Sequence, residues 1–101
     1  ANGNGIFAGD VQAYSDERLK DNIQTLDGKK ALQMRGVSFT RDGRPSSGVI
    51  AQEVEKIAPE LVMTAEDEMG TKSVAYGHLV GYLIETVKDQ QAQIEQAKEN
   101  N

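Results

Sequence analysis

The chain contains no cysteine, which excludes a disulfide framework and any thiolate metal site. Its one histidine, His78, has no second histidine or cysteine with which to build a zinc site. No apolar run approaches the roughly 20 residues that cross a bilayer as a helix, and no signal-peptide core is visible, so a soluble chain is expected. The formal net charge is −5, which argues against a nucleic-acid or acidic-membrane partner, since both require clustered lysine and arginine. A phosphate-binding loop is missing too, because Gly3 and Gly5 lack the strand and helix that such a loop joins. No cofactor and no metal are expected.

What is present bounds the fold. A chain of 101 residues makes one small domain. With 38% hydrophobic residues and 10 glycines, a monomeric core would be thin, and small chains of this kind often complete their core by oligomerising.

Residues 1–14 differ from the rest. Ala1-Asn2-Gly3-Asn4-Gly5 is turn-rich, and Ile6-Phe7-Ala8-Gly9-Asp10-Val11 reads as a short strand interrupted by glycine. A frayed arm and the end of an upstream body both fit this composition; we take it as the latter. Leu19 and Ile23 stand four apart and predict a short amphipathic helical turn over 16–23. A second short helix is expected over Lys29–Met34. Val37-Ser38-Phe39-Thr40 alternates as a strand, Arg41-Asp42-Gly43-Arg44 makes a hairpin turn, and the returning strand ends at Gly48-Val49-Ile50. Gln52 to Ile57 gives two helical turns, stopped by Pro59. Leu61-Val62-Met63 and Lys72–Tyr76 are expected to pair as strands. Between them Glu66-Asp67-Glu68-Met69-Gly70 lacks the ligand alternation of a calcium loop and reads as a solvated turn.

The clearest element is the last. From about Gly77 to Glu99 there is no proline, and Val80, Val87 and Ile94 recur every seven residues. Leu83, Gln90 and Ala97 fall three positions further on, which makes a coiled-coil seam of two to three heptads. A helix packed on its own domain is the alternative, but its final turns have nothing left in the chain to pack on. His78 in the first turn reads as a packing or capping residue.

Chemistry, if there is any, sits in Ser15-Asp16-Glu17-Arg18-Leu19-Lys20. Serine and lysine together can form a nucleophile and a general base without histidine. On one α-helix, residues five apart lie about 140° apart around the axis and cannot meet. They meet only if Ser15 precedes the helix and Lys20 reaches back. Ser15 as an ordinary helix cap, followed by two acids facing the positive end of the dipole, is the competing reading.

Ser15-Asp16-Glu17-Arg18-Leu19-Lys20-Asp21-Asn22-Ile23 resembles the opening signature of the self-cleaving intramolecular chaperone domain of phage endosialidase tailspikes and related tail fibres. Gly48–Glu55 continuing to Pro59–Val62 is similar to a second block of that family. Lys72–Tyr76 leading into Leu79–Ile84 is similar to a third, in the same order. The resemblance implies an α+β fold: small antiparallel strands and short helices, with a long C-terminal helix forming a trimeric coiled coil through Val80, Leu83, Val87 and Ile94. It implies that 1–14 ends an upstream fibre or stem and that 15–101 is the chaperone and auto-protease domain. The expected partners are two further copies of the chain, as a homotrimer, and the upstream stem of the same polypeptide, gripped by hairpin arms. The implied function is to trimerise, template folding of that stem in the host bacterial cytoplasm, and then self-cleave between Tyr14 and Ser15. Ser15 is the implied nucleophile and Lys20 the implied base, which needs burial or a nearby positive field to lose its proton near neutral pH. Asp16 and Glu17 lie close enough to be rival bases. A trimerisation domain that never cuts and an acidic helical binding module are the alternatives.

Overall fold

The computed structural model describes residues 12–100, so the strand expected at Ile6–Val11 lies outside the described residues. The elements form a small α+β fold along one long helix. In order they are a 3-10 turn (Glu17–Leu19), a second 3-10 segment (Gly28–Gln33), strands β1 (Val37–Arg41) and β2 (Arg44–Gly48), helix α1 (Ala51–Ile57), a third 3-10 turn (Pro59–Leu61), strands β3 (Val62–Thr64) and β4 (Lys72–Val74), and helix α2 (Tyr76–Glu99). β1 pairs antiparallel with β2, and β3 with β4, in separate two-stranded sheets. Among the described residues no helix is long and apolar enough to cross a membrane.

Local chemistry accounts for the boundaries. Asp42 and Gly43 both have positive φ, at 53° and 76°, the left-handed pair that a two-residue hairpin between Arg41 and Arg44 requires. Pro59 ends α1 as expected and opens the third 3-10 turn. The acidic turn is closed by Asp67, whose carboxylate accepts the Thr71 backbone N–H at 2.8 Å.

Other expectations are corrected. The turn expected over 16–23 is only a 3-10 turn at Glu17–Leu19, because Lys20 is already extended and Asn22 takes φ 56°. Asparagine visits that left-handed region readily, so the chain leaves the helix there. Leu19 and Ile23 consequently share no helical face and are exposed. The helix expected over Lys29–Met34 is 3-10, capped by the Asp27 carboxylate, which accepts the Lys29 N–H at 3.0 Å. Tyr76, expected to end a strand, instead begins α2.

The core is thin. Val54, Ala58, Leu61 and Tyr82 are buried, with Ala31, Met34, Val49, Val62 and Leu79 packed around them. α2 is the spine to which the other segments attach. At its start the Tyr76 hydroxyl accepts the Val49 N–H at 3.3 Å, fixing the base of the hairpin. One and a half turns on, the Tyr82 hydroxyl donates to the Glu60 carboxylate and ties the third 3-10 turn to the helix. A turn later the buried Thr86 hydroxyl lies 2.5 Å from the Gly28 carbonyl and 2.8 Å from that of Tyr82. A hydroxyl has a single proton, so the two carbonyls share it. Gly28 is buried directly on the helix backbone: a Cβ there would lie 2.5 Å from Glu85 C and Thr86 N. Lys72 links α1 to the second sheet, bonding Glu55 at 3.1 Å and the Thr64 hydroxyl at 2.7 Å.

Gly28→Ala should therefore force the second 3-10 segment off α2 and destabilise the domain by about 1–3 kcal/mol, as overpacking does. Gly36, with nothing within 4 Å of a Cβ, is the control. Thermal unfolding should show a lowered Tm for the first substitution and no comparable loss for the second.

The Tyr82–Glu60 bond predicts a pH dependence. The Tyr82 hydroxyl holds the Glu60 carboxyl below its ordinary 4.5, with further help from Lys30 and His78, and Glu60 in turn pushes Tyr82 up to about 12. The carboxyl's contribution to stability is present above pH 4.5 and is lost as pH falls through its lower folded value. The phenol's contribution is complete below its ordinary 10 and is lost as pH rises through about 12. Tyr82→Phe should cost about 1 kcal/mol at neutral pH. It should also flatten both limbs of a stability-against-pH curve measured by denaturant unfolding.

Candidate functional site

The segment Ser15–Lys20 folds into a closed local loop. Asp16, not Ser15, is the N-cap: its carboxylate accepts the Arg18 N–H at 2.8 Å, while its carbonyl accepts the Leu19 N–H at 3.0 Å. The Lys20 N–H then bonds the Glu17 carbonyl at 3.1 Å. This tight turn leaves Ser15 just outside and swings Lys20 back beneath it. The Lys20 Nζ donates to the Ser15 Oγ at 2.6 Å. The geometry anticipated from the five-residue spacing is met, with Ser15 before the turn and Lys20 reaching back. Ser15 is not a helix cap.

A fork holds the loop closed. The Arg18 guanidinium grips Asp16 through Nε at 3.1 and 3.3 Å and Nη2 at 2.7 Å. These bonds hold the Asp16 carboxyl below the ordinary carboxylate range, aided by the Arg18 backbone N–H and by the charge of Lys20. The same bonds push the Arg18 guanidinium up. Asp16 is thus engaged by an arginine rather than standing free as a base. The fork was missed in the sequence, although an acid at an N-cap two residues before an arginine is its signal.

The pair lies on the surface. Ser15 and Lys20 are exposed, and Tyr14, on the other side of the bond they flank, is 97% exposed. A hydroxyl and an amine in contact beside an accessible peptide bond can pass a proton between them. In the arrangement present the amine is the donor; nucleophilic chemistry uses the same contact with the proton moving the other way.

The seam residues also remain open. Val80, Leu83, Val87 and Ile94 are 54%, 54%, 64% and 50% exposed, while Leu79, Tyr82 and Thr86 face the core. At 100° per residue the two groups are centred about 100° apart around α2. The structure does not bring the seam together with Ser15 and Lys20 in a single site. His78 is exposed in the first turn, where its N–H bonds the Ala75 carbonyl at 3.0 Å.

The chain is thus a small α+β module with a serine–lysine pair ahead of it and an uncovered apolar stripe on its longest helix. Comparison with known proteins shows what it is similar to. Residues 15–63 match the family described as chaperone of endosialidase, which bears the peptidase name S74. The chain is also similar to the long tail fiber protein Gp37 of Salmonella phage S16, at 36% identity over 86 residues. That alignment takes in 71% of this chain but only 11% of the tail fibre, so the chain corresponds to a small part of that protein.

Proposed function

We propose that residues 15–101 form an intramolecular chaperone that trimerises, templates folding of an upstream phage tail spike or fibre stem, and then releases itself by cutting Tyr14–Ser15. Residues 1–14 would be the end of that stem, and the work would be done in the host bacterial cytoplasm during virion assembly. The family match and the tail-fibre relative support a chaperone role in fibre assembly. The observation that carries the cleavage is the 2.6 Å contact between Lys20 Nζ and Ser15 Oγ beside the exposed Tyr14.

The chemistry follows from the position of the pair. Neutral Lys20 takes the Ser15 hydroxyl proton as Oγ attacks the Tyr14 carbonyl carbon. The C–N bond breaks, Lys20 returns the proton to the Ser15 amine, and water hydrolyses the resulting ester to a Tyr14 carboxylate. A lysine serves as base when it is desolvated or sits in a positive field, yet Lys20 is exposed in the single protomer. The missing burial is what a trimer would supply. The uncovered seam at Val80, Leu83, Val87 and Ile94 supports such a trimer, because these side chains gain cover only against other helices.

Expressed with its natural upstream region, the wild-type chain should yield two products by mass spectrometry, with the new N terminus at Ser15. Ser15→Ala should remain a single, soluble, trimeric species. Lys20→Arg should also stay uncut, since guanidinium remains protonated and accepts no proton. Cutting at this bond in both variants would leave Ser15 and Lys20 without a catalytic role. A wild-type trimer that stays intact would favour a purely structural trimerisation domain.

Val87→Asp would place three like charges on the axis of the seam. Sedimentation should show the trimer lost, and cleavage should fall below detection with it. A wild-type chain that sediments as a stable monomer would remove the oligomeric reading and favour an acidic binding module.

A further inference from the structure

We infer that the Arg41–Arg44 hairpin tip docks on the acidic Glu66–Glu68 turn of a second copy of this chain, a contact between neighbours that lies outside the α2 seam. The inference rests on the proposed trimer. It starts from the chain's four arginines, which the structure divides into two kinds. Arg18 forks onto Asp16, and Arg35 forks onto Glu53 at 2.9 and 2.8 Å. Arg41 and Arg44 bond no carboxylate among the described residues, although Asp42 lies in the turn between them. They are direct partners at the end of the β1–β2 ladder, and both are exposed. Like charges directly opposite each other destabilise a strand pair, and carboxylates brought to them from outside relieve it. With Asp42, Pro45 and Ser46 the two arginines line a hollow of about 470 Å³, space for the side chains of an incoming turn.

The patch of opposite sign is on the turn between β3 and β4. Asp67 is spent inside that turn, on the Thr71 N–H. Glu66 and Glu68 are exposed and bond no cation among the described residues. Met69 beside them is 87% exposed, an apolar side chain with the same need of cover. The two patches are on separate hairpins, and no ion pair joins them within the protomer. A trimer around α2 is threefold symmetric, so each contact between neighbours joins two different surfaces, one from each protomer. Two unmatched arginines and two unmatched glutamates on one chain are such a pair of surfaces. Repeated three times, the contact closes a ring and fixes the height of each protomer against the next, which a short apolar seam leaves free to slip by a heptad.

The test is sedimentation of the 101-residue chain across a concentration series. The variants are Arg41→Glu with Arg44→Glu, Glu66→Arg with Glu68→Arg, and a chain carrying all four changes. Reversing either patch alone should raise the dissociation constant of the trimer at least about tenfold at low salt, because like charges then meet at every interface. The chain with both patches reversed should associate as wild type does, since the signs are again opposite. High salt should shrink the differences. Arg41→Gln with Arg44→Gln, which removes charge without reversing it, should weaken association in the same direction. Circular dichroism should show all variants folded, as the altered side chains are exposed and hold no other element in place. Unchanged association on reversing either patch, or no restoration when both are reversed, would overturn the inference while leaving the α2 trimer intact. An arginine reversal that impairs only the folding of the upstream stem in the precursor would assign the hairpin tip to the stem, and overturn it too. A wild-type chain that sediments as a monomer would overturn the trimer, and this contact with it.

Discussion

The contact on which the arrangement depends is that of Gly28 with α2. Glycine lets the chain lie directly on the helix backbone, and Thr86 bonds its carbonyl from below. Residues 12–27 are exposed, so this contact anchors the arm that carries Ser15 and Lys20. Two tyrosines on the same helix secure the remaining pieces, Tyr76 at the hairpin and Tyr82 at the third 3-10 turn. Each attachment spends a polar atom of α2 on a backbone or side-chain group from elsewhere. A core of so few buried side chains is compensated in this way, since every additional specific bond narrows the alternatives open to a loosely packed chain.

α2 is therefore used on two faces. One, through Leu79, Tyr82 and Thr86, organises its own protomer; the other leaves Val80, Leu83, Val87 and Ile94 uncovered. An exposed apolar row at heptad spacing is costly in a chain whose interior is this small, and association relieves it. In the proposed trimer the helix is both spine and seam, so that folding of the protomer and assembly share one element. An intertwined fibre stem has slow, non-local pairings to find. In the proposed function, a module whose register is set by a single helix would shorten that search.

Much of the fold was legible in the sequence because the signals were local. The Asp42-Gly43 turn, Pro59 and the proline-free heptads of the last helix each state their structure within a few residues. What was misread depended on partners distant in sequence or on competition within a turn. Leu19 and Ile23 have helical spacing, but Asn22 in the left-handed region ends the turn between them. Gly28 looks like punctuation after Asp27, and only its approach to the backbone of Glu85 and Thr86, distant in sequence, explains why it must be glycine. Tyr76 continues the apolar run of a strand, and its use as a hairpin anchor emerges only when Val49 is brought near. The serine–lysine spacing was readable as a possibility. The fork from Arg18 to Asp16 that makes the turn compact was not, because acids beside a serine looked like dipole partners.

The geometry of the serine–lysine pair and the desolvation it needs are encoded on different scales. Everything that brings Oγ to Nζ lies between Ser15 and Lys20: the Asp16 cap, the Arg18 fork and the Lys20 N–H on the Glu17 carbonyl. The loop is closed by groups of this stretch alone. Nothing in that loop buries Lys20, which is exposed with the rest of the arm. In the proposed mechanism desolvation must then come from elsewhere in the assembly, as arms and stem close on one another. A nucleophile aligned early but activated late would cut only after the stem it serves has been brought into register. That order requires no separate regulatory element, because a lysine in water is a poor base whatever its distance from the serine.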